Sequence, residues 1–115
     1  MSGKLREVNL ERGMPRAEQA VRQMTFEIRR SRALGYTGLK IIHGYGSSGT
    51  GGRIRMEARA CLSRMAARGE IHGFIPGEDF SIFNPAVLEA FRKCGDLRRD
   101  RDLERHNNGV TVILL

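Results

Sequence analysis

No apolar run in this 115-residue chain approaches the roughly 20 residues that a bilayer-spanning helix needs, and Met1-Ser2-Gly3-Lys4 lacks the apolar stretch of a signal peptide. Cysteine is scarce: Cys61 and Cys94 are the only two, too few for the disulfide framework by which small secreted domains offset a small core. These absences place the expected protein in the cytosol, away from membranes, with both cysteines as thiols. There is no internal repeat and no low-complexity linker, and the length leaves no room for a second core, so one domain over 1–115 is expected. Neither His72 nor His106 forms metal-ligand spacing with another histidine or a cysteine, so no structural zinc is expected. No Ser-His-Asp arrangement has local sequence support.

What is abundant is arginine and glycine. Lys and Arg number 20 against 13 Asp and Glu, for a net charge of +7, and 14 residues are glycine. The excess is regional, since residues 1–69 hold 14 Lys/Arg against 5 Asp/Glu, whereas 70–115 hold 6 against 8. A cationic region of this kind favours polyanions, because each Lys or Arg set against a phosphate releases condensed counterions. It is also compatible with a merely solvated arginine-rich surface.

The periodicity predicts alternating strands and helices. Lys4 to Leu10 reads as an irregular first strand, Gly13-Met14-Pro15 turns into a helix with Pro15 suited to its first turn, and Ala17, Ala20, Val21, Met24 and Ile28 recur there at helical spacing up to a stop at Gly35. Leu39 to His43 is a β-prone run that enters a glycine-rich loop, Gly44 to Gly52. The apolar stripe Ile54, Ala58, Cys61, Leu62, Met65 and Ala66 then predicts a second helix ending at Gly69. Ile71 to Ile75 reads as a third strand, and Phe80 to Phe83 as a short apolar piece. Asn84-Pro85 opens a brief helix through Phe91. Asp96 to Arg105, with four acidic and four basic side chains, reads as an excursion, a solvated loop or a short polar helix, and Val110 to Leu115 as an inner strand covered on both faces. The expectation is a small α/β or α+β domain with helices packed on a sheet of about four strands.

A glycine loop between a strand and a helix lets backbone N–H groups approach an anion, where the helix dipole adds a favourable interaction. Two nucleotide motifs are incomplete. Gly46-x-x-x-x-Gly51 is followed by Gly52-Arg53 where Lys and Ser/Thr are required. Gly44-x-Gly46-x-x-Gly49 has a dinucleotide spacing, but Thr50-Gly51-Gly52 are expected to separate it from the helix, Glu70 opens the next strand, and the chain cannot hold a doubly wound sheet. Arg53 and Arg55, expected in the first helical turn, would oppose the helix dipole unless a phosphate is bound there. Arg59 follows one turn later. Tyr45 reads as a stacking surface. His43, at the end of its strand, reads either as a proton-transfer or phosphate-contacting group or as a histidine that hydrogen-bonds the loop and holds its shape. Glu78-Asp79 reads first as turn acids after Pro76-Gly77 and second as a carboxylate pair able to hold a divalent cation such as magnesium; the sequence otherwise points to no cofactor.

The run Leu39-Lys40-Ile41-Ile42-His43-Gly44-Tyr45-Gly46, the Arg-rich helix after it and the terminal Gly109-Val110-Thr111-Val112-Ile113-Leu114 together resemble the small MutS-related (Smr) domain family. That resemblance implies a two-layer βαβαββ sandwich similar to the C-terminal domain of bacterial translation initiation factor three. It also implies nucleic-acid binding, with endonuclease activity on DNA or RNA in some members. The family's HG-x-G-x-G loop maps onto His43-Gly44-Tyr45-Gly46, after which Ser47 to Gly52 is longer and altered. The place of its LD-x-H motif is taken by Val8-Asn9-Leu10-Glu11-Arg12-Gly13, with Asn9 for the acid and Glu11-Arg12 where histidine and glycine belong. The first expectation is therefore nucleic-acid binding, with phosphates contacted by Arg12, His43, Gly44, Tyr45, Gly46, Gly49, Gly51, Gly52, Arg53, Arg55 and Arg59. The second is an endonuclease that uses His43 with Glu11 or Asn9, and the third a small nucleotide-binding or adaptor domain. The stretch of about 74–106 exceeds what a minimal domain of this type needs, and would dress a sheet edge or offer a protein-partner surface.

Overall fold

A computed structural model describes residues 3–44 and 50–115. The first strand, β1 (Leu5–Asn9), leads to helix α1 (Ala17–Ala33), and β2 (Gly38–Ile42) leads to helix α2 (Thr50–Ala67). After β3 (Gly73–Pro76) come a 3-10 turn at Gly77–Asp79, helix α3 (Pro85–Lys93), a second 3-10 turn at Gly95–Arg99, and finally β4 (Val110–Leu114). The four strands form one mixed sheet in the order β1-β2-β4-β3, with β1 parallel to β2 and β4 antiparallel to both of its neighbours.

Local chemistry accounts for most boundaries. Helix α1 starts at Ala17 with Arg16 as its cap, so Pro15 stands before the helix and not in its first turn; the backbone N–H of Arg16 donates to the Gln19 side chain (3.1 Å), which anchors the start. Both long helices end with the same closure. Tyr36 N–H returns to Ser31 O and Gly35 N–H to Arg32 O at the end of α1, and Glu70 N–H returns to Met65 O and Gly69 N–H to Ala66 O at the end of α2. Asn84 caps α3 by accepting from Ala86 N–H (3.0 Å), with Pro85 in the first turn.

The pleat decides which layer each strand residue serves. Leu39, Ile41 and Ile113 face Ala20, Met24 and Ile28 of α1 and Ile54, Ala58 and Leu62 of α2 in one buried cluster. Val112, Leu114 and Ile75 face the other way, against Phe80, Val87, Ala90, Phe91, Cys94 and Leu97. The sheet is thus covered on both faces, so a third layer replaces the expected two-layer arrangement. It consists of α3 and the chain on either side of it, and the inner strands β2 and β4 are buried on both faces as a result.

Of the two readings of Asp96 to Arg105, the helical turn at Gly95–Arg99 agrees with the short helix, and that third layer corrects the solvated loop. Lys40, on the α3 face of β2, is fully buried, and its Nζ lies 2.6 Å from Asp102, 2.9 Å from Asp100 and 3.2 Å from Glu7. An ammonium taken out of water requires such partners, and the 95–109 stretch supplies two of the three. The segment is therefore held to the sheet. Phe80 to Phe83 forms no strand; Phe80 is buried against α3, while Ile82 and Phe83 are exposed. Both cysteines are buried free thiols. Among the described residues, no helix is long and apolar enough to cross a membrane.

Candidate functional site

The chain leaves β1, β2 and the turn before β4 at one end of the sheet, and hydrogen bonds draw these exits together. Leu10 N–H donates to Ile42 O (2.8 Å), and the N–H groups of His43 and Gly44 both donate to Gly109 O (3.0 Å each). Parallel β1 and β2 both end here, the end of an α/β sheet where ligands characteristically bind. Asn9 shapes the exit of β1: its Oδ1 accepts from the backbone N–H of Glu11 (2.9 Å) and of Arg12 (3.1 Å). Asn9 and Arg12 line a cleft of about 490 Å³ with Arg6, Gln23 and Glu27. Arg6 is held by Glu27 (2.7 Å) and Ser31 (3.0 Å), whereas the Arg12 side chain has no ion pair among the described residues.

Glu11 is brought to the start of the glycine loop. Gly44 has φ +72°, and a Cβ there would run into the Glu11 carboxylate, so both backbone conformation and space require glycine at this position. Tyr45, Gly46 and Gly49, assigned to phosphate contact above, lie outside the described residues. Gly51 and Gly52 are not part of a loop, as expected, but sit in the first turn of α2, which begins at Thr50. Glycine's cost is that of a helix interior and weighs little at a terminus. The longer helix puts Arg53 and Arg55 beyond its first residues, so they oppose the dipole less than expected. It also removes the spacer argument against the dinucleotide motif. The antiparallel β4 inside the sheet excludes a doubly wound parallel architecture instead.

Arg53 is exposed and pairs along the helix with Glu57 (2.8 Å). Arg55 is half-buried, with no ion pair among the described residues. Arg59 points inward. Its two terminal nitrogens donate to the two carboxylate oxygens of Glu78 at 2.8 Å each, and its Nε donates to Thr111 Oγ1 (3.1 Å). Asn108 O (3.4 Å) and Val110 O (3.3 Å) accept from the same guanidinium. Every part of the fork is engaged inside the protein, so α2 is tied to β4 and to the turn at Gly77–Asp79. Burial alone would raise the Glu78 carboxyl, but hydrogen bonds from Arg59 and its charge hold it below its ordinary value.

His43 lies beneath this pair and is fully buried. Its Nδ1 is 2.7 Å from Gly44 O and its Nε2 is 2.8 Å from Thr111 Oγ1. A carbonyl only accepts, so Nδ1 carries the proton, Nε2 accepts, and the Thr111 hydroxyl donates to it while receiving Arg59 Nε–H. The polar chain therefore runs in one direction, from Arg59 through Thr111 and His43 to the Gly44 carbonyl. Burial, reinforced by the positive charges of Arg59 and Arg55, pushes the His43 pKa down to about 4 even though the Gly44 bond favours the cation. The ring is neutral at pH 7, and both nitrogens are occupied. Of the two readings offered for His43, this geometry matches the one in which it holds the shape of the loop entrance.

Sequence reasoning missed the Arg59–Glu78 pair, the Thr111 contact and the Lys40 cluster. The last had a visible signal, because a lysine on a strand apolar on both sides must find buried acids. The glutamate proposed as a cation ligand, Glu78, is engaged by Arg59. Among the described residues, no group of three or more His, Cys, Asp or Glu is placed to hold a metal ion. No family model matches the chain, and no curated protein or solved structure matches it.

Proposed function

We propose that this chain is a nucleic-acid-binding domain of Smr-like character that takes phosphates at the end of the sheet where Arg12, Gly44 and the start of α2 converge. The observation that carries the reading is the distribution of charge between the layers. The two helices on one face, with their flanks (16–34 and 50–68), hold ten arginines against three glutamates. Two of those glutamates, Glu27 and Glu57, are already paired. The opposite layer, 77–109, holds six Lys/Arg against seven Asp/Glu. The excess cation is thus on one side of the molecule, as a polyanion requires. The strand and helix order, βαβαββ with α3 inserted before the last strand, also agrees with the order the resemblance implies.

Arg12 and Arg55 are the arginines of the site without an ion pair among the described residues, and Arg53 exchanges Glu57 for phosphate with little loss because an exposed pair contributes little. His43 acts as a positioning residue. Hydrolysis is the second reading, and Glu11 supports it because its carboxylate stands beside Gly44 at the loop entrance, where a general base would be needed.

The test is a salt titration of binding to labelled RNA and DNA by the intact chain and by Arg53→Ala/Arg55→Ala. Wild-type affinity should fall with salt, and the double variant should bind more weakly with a slope shallower by roughly 1.5 to 2, the loss of two phosphate contacts. Binding that ignores salt, or that the double variant retains unchanged, rejects the reading. Cleavage assayed alongside with Glu11→Gln decides the hydrolytic alternative.

A further inference from the structure

On the outer face of α1, Arg22, Phe26, Arg29 and Arg30 are all exposed, at spacings of three and four residues that make them neighbours. Phe26 lies two residues, about 200° of turn, from both Met24 and Ile28, which are fully buried, so its ring projects from the crest of the helix. It is 58% exposed, where an amphipathic helix normally carries a polar side chain. The flanking arginines have no ion pair among the described residues, and the cation–π pair found among them, Arg98 over Phe91, is elsewhere, so more than half of Phe26 is open to a ligand with no cation stacked on its ring. The stripe continues toward the end of α1 into a cleft of about 480 Å³ that Arg29 lines together with Arg32, His72 and one acid, Glu70.

We infer that this face binds single-stranded nucleic acid, with an unpaired base stacked on Phe26 and the backbone phosphates on Arg22, Arg29 and Arg30. The inference rests on the nucleic-acid reading above and names its substrate class. A lone surface aromatic carries little information, but one flanked by three cations that are in no ion pair among the described residues, with Glu70 the acid that Arg29 acts on at a distance, offers both elements of single-strand recognition, a stacking platform and a cationic track. A duplex cannot use the platform, because its base faces are already stacked on one another. The cations serve both forms, and Phe26 serves the single strand alone.

The chain has no tryptophan, so Phe26→Trp places a single indole reporter on the crest and preserves a stacking surface. Binding of a fluorescein-labelled oligothymidylate and of a duplex of equal length would be measured for the wild type, Phe26→Ala, Phe26→Trp and Arg53→Ala/Arg55→Ala. Phe26→Ala should weaken single-strand binding by about 5- to 100-fold and leave duplex binding unchanged. Phe26→Trp should retain affinity for the single strand, with the indole emission quenched on binding. Since Phe26 is exposed, both variants should unfold at the wild-type temperature, which separates a binding effect from a folding one. Wild-type single-strand affinity in Phe26→Ala, or an unquenched indole in a complex that forms, overturns the inference. If the Arg53→Ala/Arg55→Ala loss is seen at the same time, the broader reading stands without it. A wild type that binds neither oligonucleotide overturns both, and a dimer that Phe26→Ala dissolves assigns the face to self-association instead.

Discussion

At the scale of single residues, His43 has the most to report. A histidine whose folded pKa is held near 4, against an ordinary value of 6.5, disfavours its cation in the folded state only. As pH falls below about 6.5 the unfolded chain takes up a proton that the folded chain refuses, so stability declines until the pH reaches about 4 and the two states again bind alike. Between pH 7 and pH 5 the expected loss is roughly 2 kcal/mol, readable as a fall in denaturant midpoint. His43→Gln should flatten this slope, and a variant with the wild-type slope would detach it from His43. The same substitution should lower stability at pH 7 by about 1–3 kcal/mol, because the Thr111 hydroxyl and Gly44 carbonyl lose their partner. Gly44→Ala should destabilise by about 1–3 kcal/mol through its positive φ and the encounter with Glu11, measured by the same denaturation.

At the scale of elements, the decisive contact is the one that binds the 95–109 stretch to β2. Burial alone would lower the Lys40 pKa, but hydrogen bonds to Asp102 and Asp100 outweigh it and raise it. The same pairing, with Asn107, holds Asp102 below its ordinary 3.8, and Lys40 and Arg101 hold Glu7 below 4.5 against the opposing effect of burial. The depressed carboxyls contribute stability above about pH 4 that is lost as pH falls through their folded values. The raised lysine contributes stability below about pH 10 that is lost as pH rises through its own. Asp102→Ala leaves a buried ammonium short of a partner and should cost about 3 kcal/mol at neutral pH. Amide exchange should quicken first across 95–109, since the helices of the other face share no part of this cluster. Unchanged protection there would show that apolar contacts of Leu97 and Phe91 suffice. The α3 cap, by contrast, is local: Asn84 lies beside the helix it starts and needs no distant partner, which is why it was legible in sequence while the Lys40 cluster was not.

At the scale of the whole molecule, the two faces of the sheet differ in charge, and this separates nucleic-acid affinity from charge in general. Removing three cations from the α1–α2 layer, as Arg22→Gln/Arg29→Gln/Arg30→Gln, changes net charge by the same amount as Arg92→Gln/Lys93→Gln/Arg105→Gln in the opposite layer. The first triple should reduce single-strand affinity and lower the salt slope by about 2. The second should leave both within a factor of about two, because exposed charges beyond a Debye length of roughly 8–10 Å are screened. Equal losses in a filter-binding comparison would mean that net charge alone drives association.

Legible in the residues alone were the order of strands and helices, the C-terminal stops of both long helices, the inner position of the last strand and the regional excess of arginine. The arginine excess is a matter of counting, and the others depend on residues within a few positions of one another, where periodicity, caps and breakers act directly on the backbone. Long-range packing put a third layer on the sheet, drew Asp100 and Asp102 in to Lys40, and turned Arg59 inward to Glu78 instead of outward to a ligand. It likewise decided that His43 is enclosed and neutral, because its environment is made by Thr111 from a strand 68 positions away and by Arg59 from a packed helix. Burial and pairing across such separations set the charge state and the direction of a side chain, and neither is written in its immediate neighbours.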